Sequence, residues 1–125
     1  TIECDSYPGP IGQVLTNLVQ NAVLHAFEGR EQGHIRLSAN INHGMVEVCC
    51  EDDGRGMPAE VLNHIFEPFF TTRLGKGGSG LGLSVSRNIA LGVLGGTLTA
   101  SSIPEMGTCF VLTFPAVAPH PTHGA

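Results

Sequence analysis

The chain has 125 residues, the size of one domain, and its 42% hydrophobic content supplies a core without metal or disulfide staples. A formal net charge of −5 argues against a nucleic-acid binder, which normally shows a basic face. No apolar run approaches the ~20 residues of a membrane span and no signal-peptide pattern opens the chain; a cytoplasmic, monomeric domain is expected, and a start at Thr1 without Met is what a piece of a longer protein, with or without a membrane anchor, would show.

Thr1–Cys4 reads as a short strand. Pro8-Gly9-Pro10 breaks it, and Pro10 suits the first turn of a helix. From Ile11 to about Phe27 the apolar residues Ile11, Leu15, Leu18, Ala22 and Ala26 recur at helical spacing until Gly29. His34–Asn40 and Met45–Cys50 alternate as strands, with Asn42-His43-Gly44 supplying the hairpin turn. A loop over Asp52–Gly56 and a short helix from Pro58 to about Ile65 follow. Glu67–Ser79 is too polar and glycine-rich to pack, and a loop of that length is usually functional. Gly80 to about Leu94 is helical and ends at Gly95-Gly96. Thr97–Ser102 and Thr108–Phe114 are strands joined through Pro104–Gly107. The order β-α-β-β-α-α-β-β predicts an α+β, two-layer sandwich: a mixed, mostly antiparallel sheet of neighbouring hairpins with helices on one face. Residues 1–115 form the domain, and Ala116–Ala125 is expected to be a disordered tail.

Three segments carry chemistry. Asn17 and Asn21 lie four apart on the first helix, within roughly 40° of each other beside the apolar stripe. Amide oxygens there suit magnesium, whose other ligands are waters and phosphates; His25 continues the line. Asp53-Gly54-Arg55-Gly56 follows a strand, and its glycines admit a flat ligand close to backbone while the carboxylate can accept from an exocyclic amine. Gly77-Gly78-Ser79-Gly80-Leu81-Gly82-Leu83 opens a helix, and free N–H groups at that start favour phosphate. It has neither the Gly-Lys-Ser/Thr of a Walker loop nor the spacing of a dinucleotide fingerprint. From Pro68 to Pro104 there is no Asp or Glu, yet Arg73, Lys76 and Arg87 fall there, three of the six Lys and Arg residues. An anionic ligand is the simplest reason. The cysteines, Cys4, Cys49, Cys50 and Cys109, form no CxxC pair and are expected to be reduced thiols.

Asn17-Leu-Val-Gln-Asn21-Ala resembles the N box of sensor histidine kinases, and Asp53-Gly-Arg-Gly56-Met57 resembles their G1 box. Ile65-Phe-Glu-Pro-Phe-Phe-Thr-Thr-Arg73 looks like the F box, Gly78-Ser-Gly-Leu-Gly-Leu83 is similar to the G2 box, and Gly95-Gly-Thr…Gly107-Thr108 fits the closing strands. The resemblance covers residues 1–115 in the family's order. It implies the Bergerat ATP-binding fold, with Mg2+ and ATP as cofactors. Asn21 would be the magnesium residue and Asn17 its phosphate-side neighbour, both catalytic together with Arg73. Asp53 would hold the adenine amine, with Gly54, Gly56 and Met57 lining the base pocket and Thr108 near the ring. The F-box residues Ile65, Phe66 and Thr72 would border the nucleotide. Arg73 and Lys76 would reach the phosphates from a mobile lid, and Gly78, Ser79, Gly80, Leu81, Gly82 and Leu83 would cradle them.

Two departures inform the reaction. Hydrolysing branches of the superfamily place Glu one turn before the magnesium Asn; here Asn17 stands there and cannot act as a base, which disfavours a gyrase-like ATPase and favours phosphoryl transfer. Many histidine kinases carry Lys or Arg three residues after the second Asn; here Leu24 does, leaving a larger share to Arg73 or His25. None of the six histidines is followed by Asp or Glu, as the family's phosphoacceptor is. The acceptor is expected on a separate dimerisation domain, with a response regulator beyond it.

Overall fold

The computed structural model describes residues 6–23, 32–68 and 82–117. The expected strand Thr1–Cys4 and residues 118–125 of the expected tail lie outside them. Among the described residues the elements run α1 (Pro8–Asn21), β1 (Ile35–Asn42), β2 (Met45–Asp52), α2 (Ala59–Leu62), α3 (Gly82–Gly92), β3 (Thr97–Ile103) and β4 (Gly107–Pro115).

α1 starts earlier than the spacing predicts because Pro8 as well as Pro10 sits in the first turn, where a missing N–H costs nothing. The Tyr7 carbonyl closes that turn by accepting the Ile11 N–H at 3.1 Å. The buried stripe is Val14, Leu18 and Ala22, flanked by Ile11. Leu15, expected on that stripe, is only half-buried, and Val14 takes its place. The expected extension of the helix to Phe27 lies beyond the described residues after Val23.

The four strands form one antiparallel sheet in the order β1-β2-β4-β3. Both hairpins expected from the turn residues are present. His43 and Gly44, at φ 54° and 78°, make the tight turn between β1 and β2. The two hairpins are joined by β2 and β4, a pairing across α2, α3 and β3 that no local turn announces. Along β2 and β4 the even-numbered residues face the helices, so Val46, Cys50, Phe110, Leu112 and Phe114 form the core with Leu98 from β3 and Ala90 and Leu94 from the α3 side. The ladder runs further than expected at its ends. β2 includes Asp52, and Ala116, placed in the expected tail, donates its N–H to the Gly44 carbonyl at 2.8 Å.

α3 packs on α1 through small residues, Ser86 and Ala90, each 0% exposed, which let the two helices approach closely. It ends at Gly92 rather than Leu94. Gly95, at φ 72°, then reverses the chain, and the Gly96 N–H returns to the Ala90 carbonyl at 2.8 Å. The helix expected over Pro58–Ile65 is the single turn α2 followed by further turns.

One glycine holds the 54–57 loop against the β3–β4 turn. Gly56 has φ 66°, and a methyl group on it would enter the Ile103 carbonyl. The Glu105 N–H meets the Arg55 carbonyl at 2.6 Å beside it. Gly56→Ala should therefore cost about 3 kcal/mol. Gly44→Ala, also at positive φ but with open space around it, should cost about 1 kcal/mol; denaturant midpoints of the two variants check the difference. Cys50 offers a pH test. Burial, then neighbouring Asp52, then Cys109 push its thiol from 9.0 up to about 11. The folded state thus keeps a neutral thiol where the unfolded chain ionises, a contribution complete below pH 9 and lost as pH rises through 11. Urea midpoints in reducing buffer should fall across that window, less steeply in Cys50→Ala.

Candidate functional site

The end of the β2–β4 ladder builds one side of the site. In register, Asp52 lies opposite Thr108, and Thr108 opposite Ser102. Residues directly opposite each other share a face, and this row continues the helix-facing rows of Cys50 and Phe110. Asp52 is half-buried and one of its carboxylate oxygens accepts the Gly54 N–H at 2.9 Å. Thr108 is 7% exposed. Ser102 Oγ accepts the Met57 N–H at 2.8 Å, which ties Gly54–Met57 to the sheet. Gly107 has φ 113°, and a side chain there would strike the Asp52 carbonyl, so Asp52 and Thr108 are held at close range.

Asp53, the expected adenine partner, is the first residue past the strand and points elsewhere. Its carboxylate accepts the His34 N–H at 2.8 Å and meets His34 Nδ1 at 2.9 Å, with 53% of its side chain exposed. The His34 backbone N–H, then the imidazole, hold its carboxyl below the usual carboxylate value. The carboxylate on the helix-facing side is that of Asp52, which is not among the expected site residues. Its signal was present in the strand alternation, since it lies two residues beyond buried Cys50.

The second side of the site is the α1–α3 junction. Asn17 Nδ2 donates to Ser86 Oγ at 2.9 Å and to the Gly82 carbonyl at 3.2 Å, while Asn17 Oδ1 accepts from Gln13 at 2.9 Å. Ser86 Oγ donates to the same Gly82 carbonyl at 2.9 Å. Asn17 thus clips α1 to the first residue of α3, bringing together the first and third segments singled out in the sequence. Asn21 follows one turn later on α1, half-buried, and Leu83 packs on the core.

Two F-box residues pack into the fold. Ile65 is 6% exposed within the core. The Phe66 ring meets Phe110 edge-on, with centroids 6.3 Å apart. Arg87 lies over Phe66 at 5.8 Å, so this cation of the acid-free stretch is engaged by an aromatic ring. Both phenylalanine contacts brace the 63–67 turns from below. His25, Thr72, Arg73, Lys76, Gly78, Ser79, Gly80 and Leu81 lie outside the described residues.

A helix-backed antiparallel sheet, with a glycine-bounded strand end on one side and a helix start on the other, makes an α+β sandwich. Residues 7–118 match the family described as histidine kinase-, DNA gyrase B-, and HSP90-like ATPase. The chain is 39% identical over 117 residues to sensor protein TorS of Escherichia coli K12, an alignment covering 91% of this chain and 12% of TorS. Among solved structures, the nucleotide-free catalytic domain of histidine kinase ThkA is similar at TM-score 0.75 and 34% identity, over 87% of this chain and 68% of that one. Full-length ShkA in complex with AMPPNP is similar at TM-score 0.73 and 28% identity, over 89% of this chain and 23% of that one. The chain belongs to the histidine kinase-, DNA gyrase B- and HSP90-like ATPase family, in the branch of sensor-histidine-kinase catalytic domains. It spans only a small part of the sensor proteins it matches, 12% in the case of TorS. Among the described residues no helix is long and apolar enough to cross a membrane.

The clip between the helices can be tested by reversing its polarity. Asn17→Asp keeps the shape but removes both donated bonds and sets a carboxylate against the Gly82 carbonyl. It should lower stability by about 2 kcal/mol at neutral pH, measured by urea unfolding, with part of the loss recovered at acid pH, where the carboxyl regains a donor.

Proposed function

We propose that this domain holds Mg·ATP and presents its terminal phosphate to a histidine on a separate dimerisation domain, as the catalytic part of a sensor histidine kinase whose phosphate passes on to a response regulator. The observation that carries the reading is the row Asp52–Thr108 at the β2–β4 end: two oxygen side chains on the helix-facing side, beside the Gly54–Met57 loop that Ser102 ties to the sheet. An ionised carboxylate can only accept, which suits the exocyclic amine of adenine. The base contact is assigned to Asp52, which shares the helix-facing row with Thr108, instead of Asp53, which follows the strand and accepts from His34. Gly54, Gly56 and Met57 remain the lining of the base.

The phosphate end falls to Asn17, Asn21, Gly82 and Leu83, with Gly78–Leu81, Thr72, Arg73, Lys76 and His25 as further candidates from the segments that precede or follow. Among the described residues no three His, Cys, Asp or Glu side chains converge on a metal position. Asn21 offers one neutral amide oxygen, which suits a magnesium ion whose other ligands are phosphate and water oxygens. Magnesium so bound would neutralise phosphate charge. The residues themselves would contribute by positioning and by cationic contacts from Arg73 and Lys76. Asn17 has no basic oxygen with which to activate water, so transfer to a supplied acceptor is favoured over hydrolysis. ShkA, of similar fold, carries AMPPNP, which supports a nucleoside triphosphate as the ligand.

Calorimetric titration with AMPPNP and magnesium tests the assignment. The wild-type chain should bind. Asp52→Asn should weaken binding at least tenfold, about the worth of one charge-assisted hydrogen bond, and Asp53→Asn should change it less than about twofold. The reverse order would return the base contact to Asp53. Failure of the wild type to bind would overturn the nucleotide reading.

A further inference from the structure

We propose that Ser102 is a positioning residue of the base-binding end. By accepting the hydrogen bond of the Thr108 hydroxyl it leaves Thr108 an acceptor only, and so sets a preference for a 6-amino over a 6-oxo purine. The inference rests on the nucleotide-binding reading above and concerns what that site discriminates.

The argument is a proton count. Ser102 Oγ lies 2.8 Å from the Gly107 carbonyl oxygen, 2.8 Å from the Met57 nitrogen and 2.9 Å from Thr108 Oγ1. A carbonyl oxygen can only accept and a backbone N–H can only donate. The single proton of Ser102 therefore goes to Gly107, and one lone pair of Ser102 receives the Met57 N–H. What remains on Ser102 is one lone pair, so the contact with Thr108 requires Thr108 to be the donor. Its proton is then committed within the sheet.

Thr108, 7% exposed, consequently offers lone pairs alone to anything beside it on the helix-facing side. Its register partner Asp52, as a carboxylate, also offers lone pairs alone. An adenine amine donates to such a row. A guanine C6 carbonyl would face acceptors with nothing to receive, a mismatch that a buried polar site rejects strongly. Without the Ser102 hydroxyl the Thr108 proton can turn outward and serve a carbonyl. The Met57 N–H also loses its acceptor, and with it the loop that borders the base loses one of its ties. Ser102 would not touch the base; it acts through Thr108 and Met57.

Magnesium-dependent binding of ADP and GDP is measured by calorimetry for the wild type, Ser102→Ala, Ser102→Thr and Thr108→Val, with thermal unfolding of each. Wild type should favour ADP. Ser102→Ala should lose about tenfold in ADP affinity and narrow the ADP-to-GDP ratio by at least as much, the scale of one hydrogen bond. Ser102→Thr, which keeps the hydroxyl, should restore the ratio. Loosening of the domain alone would weaken both nucleotides in parallel, so an unchanged ratio in Ser102→Ala overturns the proposal. Should Ser102→Ala fail to fold, Thr108→Val decides: it keeps the side-chain shape, and a ratio equal to wild type there also overturns it. A wild type that binds ADP and GDP equally defeats the proposal while leaving nucleotide binding intact. A wild type that binds neither removes the nucleotide reading itself.

Discussion

The pairing of β2 with β4 is the constraint on which the rest depends. Each hairpin closes through its own turn, but neither can bury its helix-facing residues alone, since a two-stranded hairpin is marginal in water. Joining them in register from Met45↔Pro115 to Asp52↔Thr108 stacks Val46, Cys50, Phe110, Leu112 and Phe114 under α1 and α3. The same ladder decides where the site falls. Its last rung is the Asp52–Thr108 pair, and Gly107 permits that rung by leaving room for the Asp52 carbonyl. The core and the proposed base-binding row are thus two ends of one set of hydrogen bonds.

Much of this was legible in the chain. Asn42-His43-Gly44 announced one hairpin by turn chemistry, and the glycine-bounded helices and alternating strands followed from periodicity. The β2–β4 ladder was not legible, because it is a long-range pairing with no local turn to mark it. The proposed exchange of Asp53 for Asp52 has a simple physical form. With β2 ended at Cys50, both aspartates belong to a loop and nothing distinguishes their directions. With β2 carried to Asp52, period-two alternation sends Asp52 toward the helices and Asp53 away. A shift of strand end smaller than the usual uncertainty of such boundaries exchanged the two carboxylates.

Ser102 and Phe66 show a second kind of limit. A serine on a half-exposed strand has no pattern of its own, and its three hydrogen bonds appear only when Met57, Gly107 and Thr108 converge on it. Phe66 was visible within a motif, but the motif could not say that the ring would turn to Phe110 and Arg87. A motif identifies a segment; the direction of each side chain belongs to the packing.

Asn17 joins both lessons to the chemistry. Read from the sequence, it is an oxygen ligand on the phosphate side; in the fold, its amide nitrogen donates to Ser86 and Gly82 and its oxygen accepts from Gln13. Only an amide can do both at once, and a carboxylate would meet the Gly82 carbonyl with like partial charge. The Glu of the hydrolysing branches therefore could not replace Asn17 here without undoing the contact that holds α1 against the start of α3. The absence of a general base at this position and the close packing of the two helices are one choice of side chain. An α3 start fixed in this way suits a phosphate cradle, whose backbone N–H groups act only if they are already aimed when the ligand arrives.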